Sequence, residues 1–125
     1  MFAIKNGKAI LDDGTVTGKA ILYTDKIIGI VDEGDIPTGT AVIDAEGGYI
    51  SPGFIDLHIH GYLGRDVCDA SEESIRIISK GLLENGVTGY LPTTMTVSTE
   101  VIEGAIEDFA ECVRMFGEIY DKNNK

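Results

Sequence analysis

A chain of 125 residues, 43% hydrophobic and 25% charged, has the composition of a soluble globular protein and the length of one ordinary domain. Its net charge of −11 argues against nucleic acid, which needs a basic patch, and against an anionic membrane surface. No apolar run approaches the roughly 18–20 residues that cross a bilayer, and the acidic pairs (Asp12-Asp13, Asp32-Glu33, Glu72-Glu73, Glu107-Asp108) are dispersed as on a solvated surface.

The start, Met1-Phe2-Ala3-Ile4-Lys5, lacks the charged leader and long apolar stretch of a secretory signal. Cys68 and Cys112 are far apart, with no CxxC spacing, and read as free thiols rather than zinc ligands. The compartment expected from these features is the cytoplasm.

Residues 1–51 read as short strands broken by turns. Phe2–Lys5 and Lys8–Leu11 flank Asn6-Gly7, a strong hairpin signal, and Asp12-Asp13-Gly14 turns the chain again. Ala20–Tyr23 and Ile27–Val31 flank Thr24-Asp25-Lys26 as a second hairpin. Residues 32–37 form a loop, Ala41–Asp44 a strand, and Ala45-Glu46-Gly47-Gly48 leads to Tyr49-Ile50. Strands at this spacing predict a small sandwich.

From Pro52 the rhythm changes. A strand over 54–60 is followed by a loop and by a helix that Ser71 caps, with Glu72-Glu73 at its positive end. Ile75, Ile78 and Leu82 mark its buried stripe, and Gly86 stops it. Val87–Leu91 is a second strand, ended by Pro92. Ser98 caps a second helix, whose apolar positions Ile102, Ala105, Ile106, Phe109, Val113 and Phe116 fall at helical spacing. The tail from Asp121 is polar and is expected to fray. Strand–helix–strand–helix of these lengths is the pattern of parallel α/β units.

The chemistry concentrates in Pro52-Gly53-Phe54-Ile55-Asp56-Leu57-His58-Ile59-His60-Gly61, which holds both histidines of the chain. Successive side chains of a strand point to opposite faces. Ile55, Leu57 and Ile59 therefore share one face, and Asp56, His58 and His60 the other. Two imidazoles at i, i+2 can converge on one metal ion at about 2.0–2.1 Å. A lone strand histidine is usually structural; two at this spacing after Pro-Gly form half of a metal site. Asp56 has two readings, a partner orienting an imidazole or a structural hydrogen bond. Thr93 and Thr94, just past the second strand, face the same rim, either as site contacts or as turn stabilisers.

This decapeptide resembles the metal-binding signature of the amidohydrolase superfamily. Gly61-Tyr62-Leu63-Gly64-Arg65-Asp66 and Gly86-Val87-Thr88-Gly89-Tyr90-Leu91-Pro92-Thr93-Thr94 are similar to motifs of its N-acetylglucosamine-6-phosphate deacetylase branch. Dihydroorotases and hydantoinases share the H-x-H strand; dihydroorotases usually carry Arg just after the second His, where this chain has Gly61-Tyr62. The resemblance covers the first third or so of such an enzyme. It implies an α/β fold: residues 1–51 as the N-terminal part of a small β-sandwich, and 52–125 as the first two β/α units of an incomplete (β/α)8 TIM-type barrel.

The resemblance also implies an activity: hydrolysis of N-acetylglucosamine 6-phosphate to glucosamine 6-phosphate and acetate. The cofactor it implies is a divalent metal ion, zinc first, with iron, manganese or cobalt as alternatives. His58 and His60 match two of the metal ligands. The family's remaining ligands, a Glu on the third strand and His residues on the fifth and sixth, and its Asp acid–base on the eighth, match nothing here. No catalytic residue is therefore expected in this chain, which is expected to be inactive by itself. The implied partners are an amino-sugar phosphate and, for the full-length family, a second subunit in a homodimer. Arg65 is the only cation close to the motif for a phosphate. Two other readings stand beside this one: a non-catalytic truncated or associating module, and another amidohydrolase such as an aminoacylase or dipeptidase.

Overall fold

The computed structural model describes the backbone of residues 1–123 and the side chains of residues 1–114. The chain divides into two compact units, Met1–Pro52 and Gly53–Lys125.

The first unit is built of seven strands, β1 (Phe2–Lys5), β2 (Lys8–Leu11), β3 (Gly14–Val16), β4 (Lys19–Tyr23), β5 (Ile27–Asp32), β6 (Ala41–Asp44) and β7 (Tyr49–Ile50). They form two sheets, one ordered β5-β4-β1-β6 and one ordered β3-β2-β7. In the larger sheet the register aligns Ile30, Ile21, Ile4 and Ile43 across all four strands. Beside that row Phe2 stacks on Tyr23, 5.4 Å between centroids. The opposite face supplies Ala3, Ala20 and Leu22, all buried.

The hairpin expected at Asn6-Gly7 does not form. β1 pairs with β4 and β6, whereas β2 pairs with β3 and β7, so Asn6-Gly7 is the corner at which the chain leaves one sheet for the other. Asn6 adopts a left-handed conformation (φ 54°), its side chain donates to Asp44 at 2.7 Å, and its carbonyl accepts from the Gly47 N–H at 2.7 Å. A Cβ at Gly7 would lie 2.6 Å from Ile50 Cδ1, which is why glycine stands there. The same local chemistry that suits a two-residue hairpin suits a corner, and long-range pairing decides between them. The Asp12-Asp13 turn joins a true hairpin, β2–β3, and residues 24–26 join another, β4–β5.

The second unit starts with β8 (Phe54–Ile59). A small antiparallel hairpin of β9 (Gly61–Tyr62) and β10 (Arg65–Asp66) then occupies the span expected to be loop. Helix α1 (Glu72–Glu84) returns the chain to β11 (Val87–Pro92), which lies parallel to β8, and α2 (Thr99–Asn123) comes after it. This is the α/β order expected. β11 extends through Pro92, one residue past the expected end, by an irregularity between Tyr90 and Pro92.

Helix α1 starts at Ser71, whose side-chain oxygen accepts from the Ser74 N–H at 3.4 Å. Ile78 and Leu82 pack with Val67 into a core joined by Ile59, Tyr62, Val87 and Tyr90. The Tyr90 hydroxyl meets Ser79 Oγ at 2.8 Å, so the half-buried phenol keeps a polar partner.

Helix α2 differs from its expected stripe. Ala105 and Cys112 are buried and Ile102 and Phe109 half-buried, while Ile106 and Val113 stand 59% and 56% exposed. The elements packed on this helix cover only one side of its wide apolar stripe. Burial accordingly pushes the Cys112 thiol above its ordinary pKa. The side chain of Phe116 lies outside the described residues. The helical backbone continues through Asn123, past the point where the polar tail was expected to fray.

This difference is measurable. Ile78→Ala should destabilise the second unit by about 2–5 kcal/mol, since it empties a fully buried site. Ile106→Ala should change stability by no more than about 0.5 kcal/mol. Chemical unfolding of both variants, monitored by a probe within residues 53–125, checks the pair.

Candidate metal centre

Both histidines sit at the C-terminal end of β8, and the structure brings their rings together. His58 Nε2 and His60 Nε2 lie 3.2 Å apart, with ring centroids 4.9 Å apart and planes at 87°. Two nitrogens bound at about 2.05 Å to a tetrahedral ion would be about 3.3 Å apart. The pair thus spans one edge of such a site. His58 is exposed and His60 half-buried.

His60 is held from behind. Its Nδ1 donates to the main-chain carbonyl of Thr93 at 2.9 Å. Thr93 is in turn tied to β8, its N–H donating to the Ile59 carbonyl at 2.8 Å, and its hydroxyl donates to the Leu91 carbonyl at 3.1 Å. Thr93 reaches the site through its backbone, and no residue-type signal in the sequence marks a carbonyl for such a role. Asp56 lies on the expected strand, and its Oδ1 accepts from the backbone N–H of His58 at 3.0 Å. That bond shapes the strand under His58; the carboxylate has no bond to either imidazole.

Gly61 comes directly after His60 and admits no side chain, because a Cβ there would lie 2.1 Å from the Arg65 carbonyl oxygen. The close approach lets β9 and β10 fold back through Leu63-Gly64, both with positive φ, the geometry of a tight hairpin turn. Val67 N–H then donates to the His60 carbonyl at 2.7 Å, fixing the backbone that carries the second imidazole.

The next turn, residues 67–69, is capped at both ends of a box. Asp66 Oδ1 accepts from Cys68 N–H at 2.7 Å, and Asp69 Oδ2 accepts from Asp66 N–H at 2.9 Å and from Ser74 Oγ at 2.8 Å. Cys68 Sγ accepts from Met95 N–H at 3.3 Å, joining this turn to the loop after β11. Arg65 pairs with Glu73 at 3.4 Å on the surface.

Among the described residues no third His, Cys, Asp or Glu joins the pair as a metal cluster. The donor set fits a divalent ion in part: two imidazole nitrogens at ligand spacing, with the remaining positions unsupplied by those residues. No described helix is long and apolar enough to cross a membrane.

No family model matches the chain. It is 39% identical over 67 residues to an N-acetylglucosamine-6-phosphate deacetylase of Lysinibacillus sphaericus, a match over 54% of this chain and 17% of that one. A dihydroorotase of Bacillus subtilis is 31% identical over 121 residues, covering 91% of this chain and 27% of its own. The crystal structure of N-acetylglucosamine-6-phosphate deacetylase from Pasteurella multocida superposes with a TM-score of 0.85 at 30% identity, over 90% of this chain and 30% of that one.

The chain thus spans less than a third of the length of each of these proteins. Its α/β architecture is similar to that of the N-terminal regions of the deacetylase and of a D-hydantoinase from Thermus. Its sequence is similar to those of N-acetylglucosamine-6-phosphate deacetylases.

The box predicts a pH response. The Asp66 backbone N–H and then the Ser74 hydroxyl hold the Asp69 carboxyl below its ordinary pKa. A group whose folded pKa is depressed stabilises the fold above its unfolded pKa, near 4, and that contribution disappears as pH falls through the folded value. Asp69→Asn should therefore unfold more readily than the parent at pH 7. The gap between the two should narrow below about pH 4, measured by thermal unfolding across a pH series.

Proposed function

We propose that this chain supplies the first metal-binding strand of a metal-dependent deacetylase acting on N-acetylglucosamine 6-phosphate. The observation that carries the reading is the pair of Nε2 nitrogens 3.2 Å apart at the C-terminal end of a parallel strand. Catalytic groups of β/α barrels gather at that end of their strands. The finer architecture belongs to the same proposal: residues 1–51 as part of a β-sandwich, and β8-α1-β11-α2 as two units of a (β/α)8 barrel.

His58 and His60 would hold the ion through Nε2. Once bound, a divalent cation, zinc first, supplies Lewis-acid activation of water and of the amide carbonyl. The work of this chain's own residues is positional. Gly61 and the β9–β10 hairpin fix the backbone after His60, and Thr93 fixes its ring. In this reading the acid–base group, the other ligands and a cationic cradle for phosphate would come from the rest of a whole enzyme, since the described residues place no third ligand beside the pair. The chain in isolation is therefore catalytically incompetent, and a homodimer and a cytoplasmic setting remain part of the proposal for the whole enzyme.

A dihydroorotase reading has a specific observation behind it, the match over 91% of the chain. The residues after the second histidine favour the deacetylase, because Gly61-Tyr62 stands where dihydroorotases usually place Arg.

Two experiments test the proposal. The purified 125-residue chain should release no acetate from N-acetylglucosamine 6-phosphate with or without zinc. Metal-dependent turnover abolished by His58→Ala would overturn the statement that it is incompetent alone. A chimera in which this chain replaces the matching 30% of the Pasteurella multocida deacetylase should hydrolyse that substrate and not dihydroorotate. In it, His58→Ala or His60→Ala should lower both metal content and rate by well over tenfold, more than the roughly 10–100-fold range's lower end for residues that merely support ligands. A folded chimera with full activity in both variants would make the histidines structural and sink the reading.

A further inference from the structure

We propose that Asp56 is a positioning residue: its carboxylate holds a one-residue bulge in β8 at Leu57-His58, and through that bulge sets where the His58 ring stands relative to His60. The inference rests on the metal-binding reading above and deepens it.

The bulge is visible in the pairing of β8 with β11. Phe54 faces Val87, Ile55 faces Gly89, Asp56 faces Tyr90 and Ile59 faces Pro92. Between the first two of these pairs β11 has one residue more than β8, Thr88. Between the last two the excess lies on β8, where Leu57 and His58 together stand against Leu91. The two insertions cancel, so the strands leave the ladder in the register in which they entered it. Bulges are uncommon in parallel pairs, and they gather beside active sites, where they re-aim a side chain. Among the described residues β8 has no strand on its other side, so Leu57 and His58 have no ladder partner there.

Each insertion has a local cause. Thr88 is housed over Gly53, where a Cβ would lie 2.2 Å from both Thr88 Oγ1 and Cγ2. On β8 the bulge takes the His58 N–H out of the ladder, and that N–H donates to Asp56 Oδ1 at 3.0 Å. An Asp or Asn side chain that accepts from the main chain two residues on forms a turn of its own. The carboxylate thus replaces the missing ladder bond and bends the strand at the same point. His60 is held by other elements, its carbonyl by Val67 N–H at 2.7 Å and its ring by the Thr93 carbonyl at 2.9 Å. With one ring fixed, the 3.2 Å between the two Nε2 atoms varies with the backbone at His58, which Asp56 holds. What the bond needs from residue 56 is an oxygen at the right reach, and an amide oxygen supplies it as well as a carboxylate.

The test compares Asp56→Asn and Asp56→Glu with the parent 125-residue chain. Amide hydrogen exchange is read without metal, and zinc affinity by titration against a chromophoric chelator. Asn keeps the acceptor at the same reach without the charge; Glu keeps the charge and moves the acceptor one methylene further out. The parent should show a protected His58 amide, and Asp56→Asn should match it in exchange and in zinc affinity. Asp56→Glu should lose the His58 protection, keep that of the Thr93 amide, and bind zinc about tenfold more weakly, the lower end of the cost of losing a supporting partner. A His58 amide unprotected in the parent, one that Glu leaves protected, or a zinc affinity indifferent to its loss overturns the proposal. So does Asp56→Asn binding zinc as weakly as Asp56→Glu, since the carboxylate then acts through its charge. Zinc binding by none of the three chains overturns the metal-binding reading and the proposal with it. Amide protection that still follows the acceptor tells that failure from the others.

Discussion

The hydrogen bonds that join β8 to β11 determine where both imidazoles stand. The pairing is closed at one end by Phe54 N–H on the Gly86 carbonyl, 2.9 Å, and at the other by Thr93 N–H on the Ile59 carbonyl, 2.8 Å. Between them the ladder is irregular twice, after Val87 and after Tyr90. An irregularity bends a strand and re-aims the residues beyond it. The residue re-aimed here is Thr93, whose carbonyl receives His60 Nδ1. A pairing between two distant segments thus becomes a hydrogen bond on one ring of the His58–His60 pair.

The hairpin after His60 works from the other side. Gly61 admits the Arg65 carbonyl, Val67 N–H returns to the His60 carbonyl, and the Asp66–Asp69 box locks the turn that leads into α1. His60 is therefore gripped through its own backbone by the first connection and through its ring by the second strand. His58 carries the Asp56 carboxylate on its N–H, and its exposed ring meets the His60 ring. The unequal support of the two rings arises from their places on the strand, one at its last turn inward and one two residues earlier.

Much of this is legible in the sequence where chemistry is local. The period-two pattern of Phe54–Ile59 marks the strand and the shared face of His58 and His60, and Ser71 with Glu72-Glu73 marks the start of α1. The illegible part depends on distant partners. Asn6-Gly7 has the residues of a hairpin, but β1 and β2 find better partners in β4, β6, β3 and β7. Ile106 and Val113 have the spacing of a core stripe, but the packed elements cover the neighbouring face of α2. The carbonyl of Thr93 leaves no trace in the sequence, since every residue has one and only the register of β11 aims this one at a ring. The Leu63-Gly64 turn is signalled by its glycine alone, because two-residue strands leave no periodicity to read.

Electrostatics bears on what the site can recognise. The chain carries −11, and the cation nearest the motif in sequence, Arg65, is paired with Glu73 on the surface. A surface pair of this kind contributes about 0–1 kcal/mol, and neither partner is held against the imidazoles. A phosphate needs several converging donors, typically guanidinium, ammonium or backbone N–H groups, and Arg65 is committed to Glu73. On the apolar face of β8, Ile55 and Leu57 are 68% and 70% exposed, while Ile59, at the histidine end, is half-buried and packs against the core. The order built into this chain is thus concentrated at one end of one strand, where packing, hairpin and backbone carbonyl converge on His60. It thins along the same strand toward Phe54, which is exposed like Ile55 and Leu57.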